Sequence, residues 1–136
     1  MSEIQDDFLT IDPDLGRRPV IPAGDYEAIL DRCAVIDTRS EKLQARGISK
    51  ADQFQVVVRH PEFGIVRLFA DPPRMQGTQA VKWYRQLGVT DDEMRSGFQP
   101  SKLNGTPVLV TVGIRQYTDD SGEQVQQNTI KNLVKL

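Results

Sequence analysis

Residues 53–70 read "QFQVVVRHPEFGIVRLFA", and their pattern decides the fold. In the first half Phe54, Val56 and Val58 fall on one side of an extended chain, and Gln55, Val57 and Arg59 on the other. Pro61-Glu62-Phe63-Gly64 turns the chain back. In the returning half Val66 and Leu68 share one side, and Ile65, Arg67 and Phe69 share the other. One side of each strand must face a core. Burying Arg67 without a partner is costly, so the Arg67/Phe69 side is expected to face water. This is a β-hairpin with one greasy face and one face that mixes cations, an aromatic ring and aliphatic side chains.

Working outward, "IPAGDYEAILDRCAVID" (21–37) turns at Pro22-Ala23-Gly24-Asp25 and then gives a strand from Tyr26 to Asp37. Between it and the hairpin lies "TRSEKLQARGISK" (38–50), with Arg39, Lys42, Arg46 and Lys50 against Glu41 alone. It reads as a long basic loop, with a short helix as the competing reading. After the hairpin, "TQAVKWYRQL" (78–87) reads as a helix that Thr78 caps and Gly88 stops. Ala80, Tyr84 and Leu87 recur at helical spacing, so Tyr84 is expected in the core. Trp83 falls off that stripe and is expected to plug the barrel's end or to meet an interface. "TDDEMRSGF" (90–98) is a shorter helix, where Thr90 and Glu93 form a capping box and Asp91 and Asp92 suit the helix dipole. A strand from Pro107 to Arg115, a turn at Asp119-Asp120-Ser121-Gly122 and a strand from Val125 to Val134 complete the chain. Three strands, a helical segment, then two strands is the element order of an OB-fold. The expected class is therefore mainly β: a five-stranded OB-fold-like Greek-key barrel with a helical segment between strands three and four. A β-sandwich or a small α+β roll fits the same string.

The chain has 136 residues, enough for one domain with a modest core. It holds 17 basic and 19 acidic side chains. Five of the acids (Glu3, Asp6, Asp7, Asp12 and Asp14) and none of the bases lie in residues 1–16, so the body carries a slight basic excess. Residues 1–19 are accordingly read as an acidic, flexible N-terminal arm and 20–136 as the barrel domain. There is no apolar run of membrane-spanning length and no secretory signal pattern at the start. Cys33 is the one cysteine, so no internal disulfide forms, and it is read as a small buried hydrophobe. His60, the one histidine, has no partner for a Cys/His metal site.

Three segments in order carry a resemblance: "IPAGDYEAIL" (21–30), "KWYRQLGVTDDE" (82–93) and "LNGTPVLVTVGIRQYTDDSGEQVQQNTIKNL" (103–133). Together they resemble a family of phage-encoded single-stranded DNA-binding proteins with an OB-fold, formerly a domain of unknown function. Their P-A-G-x-Y opening, central helix ending in Leu-Gly, and G-x-x-V-x-V … Y-x-x-x-G … N-x-I ending recur here across roughly residues 20–134. The resemblance implies single-stranded DNA binding in phage replication or recombination, in the cytoplasm of a host cell. The arm itself, with Ile4, Phe8, Leu9, Ile11 and Leu15 among its acids, reads as a segment able to dock on a basic, aromatic groove of its own domain or on a partner such as a phage recombination or replication protein, with a disordered leader or a clip onto a neighbouring subunit of a homo-oligomer as the plainer alternatives.

Non-specific single-strand binding needs cations along a groove and flat side chains for bases to stack on. An OB-fold offers strands two and three and the loops after strands one and four. The candidate residues are Arg39, Lys42, Arg46 and Lys50 in segment 38–50, Arg59 on strand two, Arg67 and Phe69 on strand three, Arg115 and Tyr117 on the last hairpin, and Lys131 on strand five. Gln124, Gln126, Asn128 and Asn132 sit at even positions with Ile130, so one face of strand five is expected to be amide-rich and able to bond phosphates or bases. A structural role for Asn128, satisfying a turn, is an equal alternative. No catalytic motif of the P-loop, dinucleotide-binding, zincin or nucleophile-elbow type occurs, and neither a catalytic residue nor a metal or other cofactor is expected. Two alternatives stay open: a β-barrel interaction or structural module of a phage particle, and a metal-dependent nuclease whose carboxylates are distant in sequence.

Overall fold

The computed structural model describes residues 20–38, 40–74 and 79–136. The acidic arm (1–19), Arg39 and the expected Thr78 cap lie outside the described residues. Strand β1 (Gly24–Asp37) is followed by helix α1 (Glu41–Ala45), the hairpin β2 (Lys50–His60) and β3 (Gly64–Ala70), helices α2 (Gln79–Gln86) and α3 (Asp91–Ser96), and the hairpin β4 (Thr106–Thr118) and β5 (Gln124–Lys135). A 3-10 turn at Pro100–Leu103 leads into β4. The five strands form one antiparallel sheet in the order β3-β2-β1-β4-β5. The sheet curls strongly into a half-barrel of OB-like arrangement that brings β3 against β5.

Alternation decides which side closes. Phe54, Val56 and Val58 of β2, Val66 and Leu68 of β3, Ala28 and Leu30 of β1, and Val108, Val110 and Val112 of β4 all point inward and are buried. Helix α2 caps the end of this core. Trp83 is buried edge-on against Phe54, with ring centroids 5.2 Å apart, and Tyr84 packs against the same ring at 5.2 Å. Trp83 therefore plugs the barrel's end, and Tyr84 is core, as its helical spacing requires. The capping box of α3 is present in both directions: Thr90 Oγ1 accepts from the Glu93 N–H, and a Glu93 carboxylate oxygen accepts from the Thr90 N–H.

Three local expectations need correction. The segment after β1 is not wholly a loop: Ser40 Oγ accepts from the Leu43 N–H and starts the one-turn helix α1, which buries no residue. The basic segment ends earlier than expected, because Lys50 is already the first residue of β2, opposite Asp37. Strand five is not one continuous amide face. A bulge at Lys131 pairs Thr111 with Asn132 but Val112 with Ile130, so Asn132 is out of phase with Gln124, Gln126 and Asn128.

The register orients the ends. β1 begins beside Val112 of β4 and ends beside Lys50 of β2. The β2–β3 turn and the β4–β5 hairpin tip therefore project from one end of the sheet, and segment 38–49 with the helical segment from the other. Among the described residues no helix is long and apolar enough to cross a membrane.

Candidate nucleic-acid interface

The outer face of β2 and β3 is built by the same alternation that builds the core. Arg59 stands opposite Ile65, Val57 opposite Arg67, and Gln55 opposite Phe69. Directly opposed residues on antiparallel strands share a face, so Arg59, Arg67 and Phe69 lie on one surface, over a span of roughly 13 Å along the strands. Arg59 and Arg67 are exposed, Phe69 is half-buried, and Ile65 is 56% exposed. Among the described residues neither arginine takes part in an ion pair. The face assignment read from the sequence for strand three holds.

Two neighbours on β1 extend this face. Ile29 lies opposite Val57, and Arg32 opposite Gln55. Sequence reasoning missed Arg32, because strict alternation from Leu30 would turn it inward. A bulge between Leu30 and Arg32 adds Asp31 to the strand, sets Arg32 on the outer surface and returns Cys33 to the core. The available signal was the spacing itself: Ala28 and Leu30 are two apart, whereas the next buried residue, Cys33, is three further on. Asp31 accepts a hydrogen bond from Gln55 Nε2 on the same face, and Asp25 accepts one from Thr111 Oγ1 at 2.7 Å. The β1 side of the surface thus carries acids beside Arg32, while the β2–β3 side carries Arg59 and Arg67.

The remaining candidates are dispersed. Arg115 and Tyr117 share the outer side of the β4–β5 hairpin, beyond the point where β1 begins, with the guanidinium 5.9 Å from the tyrosine ring centre. Arg115 Nε and Nη2 both donate to Gln127 Oε1, which fixes the guanidinium against the hairpin. Lys131, the bulge residue, lays its side chain across Gly113, where an added Cβ would collide with the lysine stem. Lys42 and Arg46 are exposed on and just after α1, at the opposite end of the sheet from the hairpin tips. Lys50 is held in an exposed ion pair with Asp37, whose carboxyl it keeps below the usual range through that hydrogen bond. The structure brings Arg59, Arg67 and Phe69 together, sets Arg115 and Tyr117 apart as a second pair, and engages Lys50 elsewhere.

Two polar residues prove structural. Asn128 acts as a backbone surrogate: its Oδ1 accepts from the Ile21 N–H and its Nδ2 donates to the Ile21 carbonyl, both at 2.9 Å, and to the Gly113 carbonyl at 3.2 Å. It pins the chain entering β1, so the bonding capacity of that amide is spent within the fold. His60 closes the β2–β3 turn, its Nδ1 facing the N–H groups of Glu62 and Phe63 at 3.0 and 3.3 Å, with its ring between Tyr26 and Phe63.

A further polar site left no signal in the sequence pattern. Asp52, on the inward side of β2, is buried, yet its Oδ1 accepts from the Tyr84 hydroxyl at 2.6 Å. The Arg74 guanidinium holds the same carboxylate through Nε at 3.2 Å and Nη2 at 3.1 Å. Cys33 Sγ lies 3.7 Å from the Tyr84 oxygen. Burial pushes the Cys33 thiol up to about 11, against the lowering effect of the Tyr84 hydroxyl. Burial and the bond to Asp52 push the Tyr84 phenol well above its ordinary value. Burial is the largest influence on Arg74 and opposes its charge, but the hydrogen bond and charge attraction to Asp52, with Tyr84, together outweigh it and raise the guanidinium's pKa. A cavity of about 420 Å³ opens beside this network, between α2, α3 and the end of the barrel.

Among the described residues no three His, Cys, Asp or Glu side chains come close enough to hold a metal ion. Chemically, the outer face can pair phosphates with exposed guanidinium groups and offer flat or aliphatic surface to bases. Compared with protein-family models and with curated proteins, the chain matches none.

Proposed function

We propose that the protein binds single-stranded DNA without sequence specificity, through the outer face of β2 and β3. The observation that carries this reading is the placement of Arg59 and Arg67 on one surface with Phe69, Val57 and Ile65. Guanidinium groups interleaved with apolar and aromatic side chains suit a strand whose charged backbone and exposed bases must both be met. Backbone contacts and stacking carry no sequence code, so the binding is indifferent to base order. Arg32 widens the cationic part of the surface, and Arg115 with Tyr117 on the β4–β5 hairpin forms an outlying second contact. The sequence resemblance supports a place in phage DNA replication or recombination.

The test is a titration of labelled oligo-dT and of a matched duplex at two salt concentrations, read by fluorescence anisotropy. Single strand should bind more tightly than duplex, and binding should weaken steeply with salt. Equal binding of duplex, or none of either, overturns the reading. A label that stays intact in Mg²⁺ or Mn²⁺ separates binding from nuclease activity. One observation favours a protein-interaction module instead: half-exposed Ile65 and Ile29 stand on either side of Val57 as an apolar belt on the same face. If that belt serves a protein partner, Ile65→Lys should abolish association between proteins while leaving nucleic acid unbound in both forms.

A further inference from the structure

The cavity beside Asp52 lies away from the outer face of β2 and β3, and its walls state what it accepts. Val81, Met94 and Phe98 make one side apolar, and Asp52 with Arg74 makes the other polar. Both Asp52 oxygens are engaged by Tyr84 and Arg74, so the carboxylate is neutralised in place. Arg74 meets Asp52 edge-on through Nε and Nη2 while its side chain remains 46% exposed. A guanidinium has further donors on its outer edge, and those are oriented by the bond that holds the inner one. Apolar walls with one fixed cation at the rim fit an apolar side chain that has a carboxylate next to it.

The three acids of α3, the helix that supplies Met94 to the cavity, are engaged within the fold, while Asp71 lies exposed three residues before Arg74. Asp91 is paired with Arg85, Asp92 with Arg95, and Glu93 is spent on the Thr90 cap.

We propose that the cavity binds the acidic, apolar segment Asp6-Asp7-Phe8-Leu9 of this chain's own N-terminus. Residues 1–19 lie outside the described residues, and their sequence alone makes them the candidate. That sequence places two carboxylates directly before two large apolar side chains and contains no basic residue before Arg17. Ile21 is pinned by Asn128 at the end of the sheet opposite the cavity, and the chain from Leu9 to Ile21 reaches about 40 Å when fully extended, so the segment meets the cavity with its tether drawn out along the domain. Occupancy of the cavity by this segment does not depend on DNA binding at the outer face.

The experiment uses the full chain carrying Phe8→p-benzoylphenylalanine, irradiated and digested, with crosslinks mapped by mass spectrometry. The expected product is an intramolecular crosslink to Met94 or Phe98 at monomer mass. Asp6→Lys with Asp7→Lys in the same chain should reduce it severalfold, and because the cavity's own residues are unchanged this does not test folding. Crosslinks that map to Ile65 or Phe69, crosslinks only between chains, no crosslink, or a yield indifferent to the charge reversal each overturn the proposal.

Discussion

The two faces of β2 and β3 use the same backbone and both carry apolar side chains, and they differ in how many there are and in what stands between them. The inner face carries Phe54, Val56, Val58, Val66 and Leu68, all buried inside the curled sheet, with α2 packed on Phe54. The outer face carries Val57, Ile65 and Phe69 as well, but Arg59, Arg67 and Gln55 are interleaved with them, and Ile65 and both arginines are exposed. Apolar area on the inner face contributes to folding because it leaves water when the chain folds. Apolar area on the outer face stays partly wet, and its contribution is deferred to whatever binds there. Stability and binding should therefore separate by face.

The largest effect expected from that contrast is at Phe54. Its ring is fully buried and contacts both Trp83 and Tyr84. Phe54→Ala should destabilise the fold by about 3–5 kcal/mol, measured by chemical denaturation. A loss below about 1 kcal/mol would mean that the barrel end is not closed as described.

The second effect is alkaline. Cys33 lies on the inner face with a pKa raised by burial from 9.0 to about 11. Below pH 9 the thiol is protonated in both states and costs nothing. Above it the unfolded chain loses its proton first, so stability falls as pH rises through about 11, by about 2–3 kcal/mol in the limit. Tyr84, also raised, acts in the same direction above its unfolded value. Denaturation midpoints measured from pH 8 to 11 should decline, and Cys33→Ala should flatten the first part of the decline.

The outer face was legible because period two is a strong signal over seven residues: one Arg on a strand is enough to decide which side is wet. The OB-like order was legible for the same reason, strand by strand. What escaped is non-periodic. The bulges at Asp31 and Lys131 each add one residue without changing composition, and each reverses the facing of the residues beyond it, which hid Arg32 and misplaced Asn132. Helix α1 has five residues and no buried side, so nothing in its pattern separates it from a loop. Asn128 and Ile21 are 107 residues apart, and Asp52 and Tyr84 are 32 apart, so their pairing is a product of the fold that local sequence does not encode.

The third expected effect is at Phe69, half-buried on the outer face. If a base stacks there, Phe69→Ala should weaken single-strand binding by about 1–3 kcal/mol and leave the denaturation midpoint nearly unchanged. Stability lost in proportion would instead assign the ring to the fold and break the separation of the faces.

The smallest effect, and the sharpest for mechanism, concerns Arg59 and Arg67. Each arginine that contacts a phosphate releases counterions on binding, so the slope of log K against log salt is about −0.7 per contact for single strands. Arg59→Ala and Arg67→Ala should each make that slope shallower by about 0.7, and together by about twice that, because the two stand on different strands and share no partner among the described residues. Affinity for different sequences should fall alike, since phosphate contacts position the strand without reading it. Neither substitution removes core contacts, so folding stability should stay within about 0.5 kcal/mol. Arg115→Ala is the internal control for reach: its guanidinium is already bonded to Gln127 on the separate hairpin. A slope change there equal to that at Arg67 would extend the path of the strand from β2–β3 onto the β4–β5 hairpin. Unchanged slopes at both Arg59 and Arg67 would remove the outer face from the binding path altogether.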